Sequence, residues 1–242
     1  MPRAPKWAAD LMENAFSNKF RKVTVVDTEY LSPTLRKIRF AGDFSTVNFG
    51  IGQAVLFRVD NENYRNYTPS LLESQAGICE IVFHVHNKGP GSQFVAKLEK
   101  GDTLRIGLPR GFNLHQKESR YHFFFGDEST LGFFQSLKNE IHARQQNYFG
   151  VLELDSSAIG ALDKLGLMID VVQKSSTTHA GNAIRFLSGL DESLLSLWKT
   201  GTFYLMGNAQ SIQHFRKALR ARGVSQRSII TQPYWAEGKA GL

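Results

Sequence analysis

The feature that most constrains this chain is a change of pattern near its middle. From about residue 22 to residue 109 it reads as short strands separated by turns, rich in Val, Ile, Phe and Thr. The predicted strands are 22–28, 34–40, 54–60, 65–71, 78–86 and 103–108, with one short helix over 91–98 and a turn at Gly101 and Asp102. Within 34–40, Arg36, Ile38 and Phe40 point to one side and Leu35, Lys37 and Arg39 to the other. Six strands this short call for an antiparallel barrel or sandwich, because either one removes or protects the sheet edges.

From about Tyr121 strand and helix alternate. Strands are predicted over 121–125, 150–154, 167–173, 202–206 and 228–232, and helices over 131–145, 182–187, 192–198 and 210–222. Such alternation predicts a parallel sheet covered on both faces. The chain therefore reads as two domains, a six-stranded antiparallel β-barrel or sandwich over 1–117, of which the resemblance described below implies the barrel, and a five-stranded parallel α/β sheet over 118–242. Ligands of open parallel sheets bind at the carboxyl ends of the strands. That rim would carry 126–129, 173–178, Gly207 with Asn208, and Tyr234 with Trp235.

Composition narrows the chemistry. Cys79 is the only cysteine in 242 residues, so there is no internal disulfide and no Cys-x-x-Cys redox pair. Any electron transfer must use a bound cofactor. No apolar run is long enough to cross a bilayer. Residues 7–20 read as an amphipathic helix without the apolar core of a secretory signal, which makes the cytoplasm the expected location. The net charge of +7 is scattered apart from Arg216, Lys217, Arg220 and Arg222 on one helix. No nucleic-acid-binding pattern accompanies it. A small anionic partner suits it better than nucleic acid.

Two segments carry the cofactor argument. The first is Arg65, Asn66, Tyr67 and Thr68; the second is His84, Val85, His86, Asn87, Lys88, Gly89, Pro90, Gly91 and Ser92. Tyr67 offers a flat apolar face for an isoalloxazine ring, and Thr68 a hydroxyl for a ring heteroatom. Arg65, with the backbone N–H groups of the turn from Gly89 to Ser92, offers charge and donors for a pyrophosphate. His84 and His86 share a strand face, either against a cofactor or against solvent, and no third metal ligand stands near them in sequence. Asp127 and Glu128 are either acid–base carboxylates or caps on the following helix. Tyr234 and Trp235 are either core or a stacking lid after the last strand.

These motifs, in this order, resemble the siderophore-interacting protein family of the ferredoxin–NADP reductase superfamily. The resemblance rests on Arg65 to Thr68, on Phe83 to His86 followed by Gly89 to Ser92, and on Gly101 with Asp102. Pro109, Arg110 and Gly111, then Gly126 to Ser129, then the tail from Gln232 to Gly238 continue it across essentially the whole chain. It implies a ferredoxin-reductase-like fold that holds FAD, with NADH or NADPH, or ferredoxin, as electron source and a ferric siderophore as acceptor. By position it implies that Arg65, Asn66, Tyr67, Thr68, His84, Val85, His86, Lys88, Gly89, Gly91, Ser92 and Trp235 contact the cofactor. It implies that Thr68, Asp127 and Ser129 stand closest to the chemistry, with Asp127, Glu128 and Ser129 facing the nicotinamide side of the flavin. It implies no resident metal.

The departures lie in the nucleotide half. Gly132, Phe133 and Phe134 follow Leu131 where the family has a proline or small residue, and Asn208 stands where it tends to have Glu. Beyond the second strand of that half the chain offers Leu154, Asp155, Ser156 and Ser157 before Lys164, which suits NADH better than NADPH. Lys88, Lys174 and Lys239 are candidate contacts for an anionic siderophore. Two other readings stay open: a flavin oxidoreductase with a different acceptor, and a non-catalytic binder of flavin or siderophore.

Overall fold

The computed structural model describes residues 5–86 and 88–239. The chain divides into two compact units, Met1–His115 and Gln116–Leu242. Asn87, named above between the two histidines and the glycine turn, lies outside the described residues.

The first unit opens with helix α1 (Lys6–Ala15) and a 3-10 turn (Ser17–Lys19) that ends the predicted helix early. Seven strands follow: β1 (Phe20–Ser32), β2 (Leu35–Gly42), β3 (Val55–Arg58), β4 (Tyr64–Tyr67), β5 (Leu71–Glu73), β6 (Ile78–His84) and β7 (Thr103–Gly107). Helix α2 (Pro90–Lys97) joins β6 to β7. The sheet runs β4-β3-β7-β1-β2-β6-β5, antiparallel throughout, and curls into a half-barrel.

The strand count is seven where the sequence predicts six, because 65–71 is not one strand. Pro69 has no N–H for a ladder. The chain leaves edge strand β4 at Tyr67, crosses through three residues and enters the opposite edge at β5, where Ser70 N–H bonds the Glu80 carbonyl at 2.8 Å. The predicted alternation of β2 shows in part: Arg36, Ile38 and Phe40 are buried and Arg39 is exposed, with Lys37 half-buried, but Leu35 on the second side is fully buried as well. Side chains from β1, β2, β3, β6, β7 and α2 meet in one core around Phe40, Phe57, Ile81 and Phe83. Arg36 is buried beside that core and does specific work there. Its Nη1 donates to the carbonyls of Val95 and Ala96 at 2.7 and 3.1 Å, and its Nη2 to that of Leu98 at 2.5 Å. A cation on the last carbonyls of α2 satisfies groups the helix leaves open and favours its dipole. The orientation of α2 is thereby fixed from its C-terminal end.

The second unit is a five-stranded parallel sheet in the order β10-β9-β8-β11-β12. Its strands are β8 (Tyr121–Gly126), β9 (Asn147–Leu154), β10 (Asp170–Gln173), β11 (Thr202–Asn208) and β12 (Ile229–Trp235). Helices α3 (Leu131–Ala143), α5 (Gly181–Gly189), α6 (Glu192–Trp198) and α7 (Ala209–Ala221) match the predicted ones; the short α4 (Ala161–Leu165) carries no clear period and was not predicted. The chain builds outward from β8 through β9 to β10, then returns to the other side of β8 for β11 and β12. This places a topological switch point between the ends of β8 and β11, the place where such sheets bind ligands. The phenylalanine run at 123–125 is fully buried, and Phe125 stacks on Phe215 of α7 at 4.0 Å. Tyr234 and Trp235 belong to the last strand rather than following it.

Candidate functional sites

In the first unit, β4 alternates. Tyr64 and Asn66 share one face, Arg65 and Tyr67 the other. Asn66 is exposed and accepts from Arg110 Nη2 at 2.9 Å. Arg65 and Tyr67 lie against the start of α2. A Cβ placed on Gly91 would sit 2.6 Å from Tyr67 Oη and 3.2 Å from Arg65 Cγ. Only glycine lets the helix begin this close to β4. The two segments singled out in the sequence are thus in contact.

The start of α2 is built to face an anion. Its N-cap is Gly89, with φ +76°, no capping side chain and Pro90 in the first turn. No acidic residue occupies that turn. The first amides of a helix have no intrahelical partner and carry the positive end of its dipole. The loop before it is held by Ser92, whose Oγ accepts from His86 N–H at 2.9 Å. His84 is half-buried, His86 is exposed, and their rings lie 5.3 Å apart. His86 Nδ1 accepts from the Lys88 amide at 3.2 Å, and the Lys88 side chain is exposed. Val85 differs from its neighbours. Its side chain is in the core and its N–H bonds the Thr34 carbonyl at 2.7 Å, so only its carbonyl remains for a ligand.

Tyr67 is not a free-standing face. Its ring meets Phe83 edge-on at 4.7 Å and Phe57 at 5.4 Å, and it remains half-buried. Burial pushes its phenol up to about 12, against the opposing charge of Arg65. It is a neutral, rigidly held ring at neutral pH. Thr68 follows, half-buried, at the bend between the two sheet edges. A dinucleotide flavin asks for a donor-rich anion cradle, a cation and an aromatic wall. This unit supplies them at Gly91 and Ser92, Arg65 and Tyr67, so the residues present fit FAD.

In the second unit, the four predicted rim segments meet around one cleft of about 260 Å³. Its floor is Asp127, which is 6% exposed. Asp127 Oδ1 accepts from the N–H and Oγ of Ser129 at 2.9 and 2.5 Å. Its Oδ2 accepts from the Asn208 amide and from Trp235 Nε1, both at 2.9 Å. The capping alternative is therefore the one realised, with an addition the sequence does not show. The same carboxylate ties the end of β8 to the ends of β11 and β12. Gly207, at φ +100°, makes this possible, since a Cβ there would lie 2.4 Å from Asp127 Oδ2. Asp127 and Ser129 thus form a frame whose polar groups are spent on each other.

Glu128 points the other way, 1% exposed. Its Oε1 accepts from the Asp155 amide at 2.7 Å, and its Oε2 is paired with the Lys174 ammonium. Burial pulls the Lys174 amine down, but the Glu128 carboxylate outweighs it and the net shift is upward. Lys174 is committed to this pair, with Asp155 a further 3.7 Å away. Lys88 and Lys239 are exposed.

Sequence reasoning missed Glu153. It stands near the carboxyl end of β9, 5% exposed, and lines the cleft. Burial pushes its carboxyl up to about 7; the Ala183 amide opposes this, and the Asp127 charge adds to it. The available signal was a carboxylate interrupting the apolar run from Val151 to Leu154. Trp235, 38% exposed, forms part of the cleft wall.

Comparison with known proteins agrees with this geometry. Residues 22–114 match the model of the oxidoreductase FAD-binding domain family. Comparison with curated proteins finds no match. Among solved structures, the chain is similar to a siderophore utilization protein from T. fusca, with 21% identity, a TM-score of 0.74, and 93% of this chain and 95% of that one covered. It is similar to the siderophore-interacting protein SipS from Aeromonas hydrophila, with 19% identity, a TM-score of 0.71 and coverage of 92% and 93%. Phthalate dioxygenase reductase, described as a modular structure for electron transfer from pyridine nucleotides to [2Fe-2S], matches at 13% identity and a TM-score of 0.69, with 93% of this chain and 71% of that one covered. The chain therefore has the two-part, ferredoxin-reductase-like fold shared by solved siderophore-interacting proteins, and residues 22–114 of its first unit match the oxidoreductase FAD-binding domain family.

Proposed function

We propose that this protein is an FAD-dependent reductase of ferric siderophores, working in the cytoplasm with NADH or NADPH, or ferredoxin, as electron source. The observation that carries the reading is the close approach of α2 to β4, with Gly91 beneath the Tyr67 hydroxyl and Arg65 alongside, inside the stretch that matches the FAD-binding family.

FAD, when bound, supplies the ability to take a hydride as an electron pair and to give electrons out singly. The chain supplies position and charge. Arg65, whose Nη1 also donates to the Tyr64 carbonyl at 2.7 Å, and the first-turn amides of α2 would hold the pyrophosphate. Tyr67, pinned by Phe57 and Phe83, holds one flavin face, and the Thr68 hydroxyl bonds a ring heteroatom. His84, His86 and Lys88 line the cofactor's ribityl and phosphate stretch. In the second unit, Asp127 and Ser129 frame the nucleotide cleft, with Trp235 as its aromatic wall. No proton transfer is routed through Asp127, whose oxygens already accept four hydrogen bonds. The ferric siderophore is substrate. Its iron is released on reduction because the ferrous ion binds hard anionic oxygens less tightly, and a net charge of +7 favours encounter with an anionic chelate.

The test is an anaerobic visible spectrum of FAD-loaded protein, taken before and after NADH, NADPH or reduced ferredoxin, then after a ferric catecholate. Bleaching by one donor and re-oxidation by the ferric complex supports the reading. Re-oxidation by other acceptors but not by the ferric complex turns it into a general flavin oxidoreductase. No bleaching by any donor turns it into a non-catalytic binder.

A further inference from the structure

Tyr67, Arg65 and the first amides of α2 would serve FMN as well as FAD, since FMN carries the same ring and one phosphate. The first unit has a further cavity that these residues do not fill. It measures about 410 Å³ and lies between the outer face of α2 and the end of the β3–β4 hairpin. Pro90, Gln93, Phe94 and Lys97 form one wall, at the spacing that puts four residues on one side of a helix. Val59 and Asp60 form the other, and Leu98 and Asp102 close the end beyond α2.

Position ties this groove to the flavin site. Pro90 belongs to the first turn of α2, so the groove opens at the amides that face the anion. Arg65 stands at the same mouth. Burial raises the Asp60 carboxyl, but bonds from Glu62 and Asn63 and the charge of Arg65 outweigh it, and the net shift is downward. From its end to its start, β4 therefore presents the ring wall Tyr67, the cation Arg65 and the hairpin turn that borders the groove. FAD is built in the same order, from isoalloxazine through pyrophosphate to adenosine. The groove follows α2 from Pro90 to Lys97, about 10 Å of helix, enough for a nucleoside.

The lining suits a nucleoside rather than a phosphate. Its charged residues are Asp60, Asp102 and Lys97. The pyrophosphate stays outside it, at a helix start with no acidic residue in its first turn and with Arg65 alongside. Val59, Pro90 and Phe94 offer apolar surface to a flat heterocycle. Phe94 is half-buried and packed on the core, which holds its ring in place. Gln93 is exposed on the same stripe, and its amide carries the donor and acceptor that match the edge of an adenine. Asp60 Oδ1 accepts from the amides of Glu62 and Asn63 at 2.8 and 2.7 Å. Its Oδ2 accepts from Asn63 Nδ2 at 2.9 Å and keeps room for a ribose hydroxyl.

We propose, resting on the reading of the first unit as a flavin site, that this groove seats the adenosine of FAD and makes the site selective for FAD over FMN. Phe94 and Pro90 lie against the adenine, Gln93 bonds its edge, and Asp60 accepts from a ribose hydroxyl.

The experiment is calorimetric titration of the full chain, stripped of flavin, with FAD and with FMN. It is run on the wild type, on Gln93→Ala, and on Phe94→Leu, which keeps most of the apolar volume packed on the core. The wild type is expected to bind FAD at least about a hundredfold more tightly than FMN. Gln93→Ala is expected to lose about fivefold for FAD and Phe94→Leu about tenfold, with FMN affinity within about twofold of wild type in both. A merely loosened fold would weaken both flavins together. Gln93 is exposed, so its variant keeps the test decisive if Phe94→Leu does not fold. Equal wild-type affinities, or substitutions that leave FAD unchanged or weaken both flavins alike, overturn the role of the groove and leave the flavin site standing. If neither flavin binds, the groove and the flavin reading fall together.

Discussion

Replacing Glu153 with glutamine measures what this carboxyl costs the fold. In the unfolded chain it ionises near 4.5; in the native protein burial moves it to about 7. Between those values the native state holds a proton that the unfolded state has released. Stability therefore falls as pH rises through the window, and the loss is complete above about 7. A rise from 4.5 to about 7, at about 1.4 kcal/mol per pH unit, amounts to about 3 kcal/mol. Integrating the two titrations, about 2.5 kcal/mol of it develops between about pH 5 and about pH 8. Glutamine has nearly the same shape and does not titrate. The variant should therefore gain about 2.5 kcal/mol relative to wild type between about pH 5 and about pH 8, whatever constant offset its amide introduces. Urea unfolding followed by circular dichroism at several pH values reads this, since titrating groups that do not couple to Glu153 cancel in the difference between the two proteins, and its coupled neighbours Asp127 and Lys174 titrate outside this pH window in the unfolded chain. A difference that stays flat across the range, or that moves against the variant, refutes the account of Glu153 as a carboxyl whose burial outweighs its backbone hydrogen bonds.

Arg65→Ala should lower FAD affinity by about a hundredfold through loss of a charge-assisted contact, read as colourless protein after gel filtration with unchanged far-UV circular dichroism. Gly91→Ala puts a methyl 2.6 Å from Tyr67 Oη and should weaken FAD binding by about tenfold. Adding Tyr67→Phe removes the clashing hydroxyl and should restore most of the loss in a fluorescence titration with FAD. Lys174→Met leaves Glu128, 1% exposed, without its cation. It should cost about 3 kcal/mol in urea unfolding, the low end for a broken buried pair because the Lys174 side chain is itself 32% exposed. Pairing it with Glu128→Leu should recover a large part.

The architecture was legible in the sequence because its signals are local. Alternation in 34–40 put Arg36, Ile38 and Phe40 on one side before any neighbour was known, and the fold buries that side. The strand and helix rhythm after Tyr121 fixed a parallel sheet, and the glycine turn before α2 marked an anion-facing helix start. Where the sequence misled, a single backbone property intervened. Pro69 cannot continue a ladder, so one predicted strand became the two opposite edges of a curled sheet.

The sites required distances the sequence does not contain. Gly91 and Tyr67 are each unremarkable alone, and they meet only in the fold, where Arg36 holds the far end of α2 and Ser92 its start. Asp127 read locally as either a catalytic carboxylate or a cap. Its bonds to Asn208 and Trp235, 81 and 108 residues along the chain, decide that it is a clamp. Lys174 read as a surface charge free for a siderophore, yet folding brings it to Glu128. Glu153 shows the difference most sharply. Its identity is written in the sequence, but its chemistry comes from removal of water and partners. Period and turn residues act through the chain's own covalent geometry, so they survive in one dimension. Desolvation and unmet hydrogen bonds belong to the space between elements, and only the folded structure creates that space.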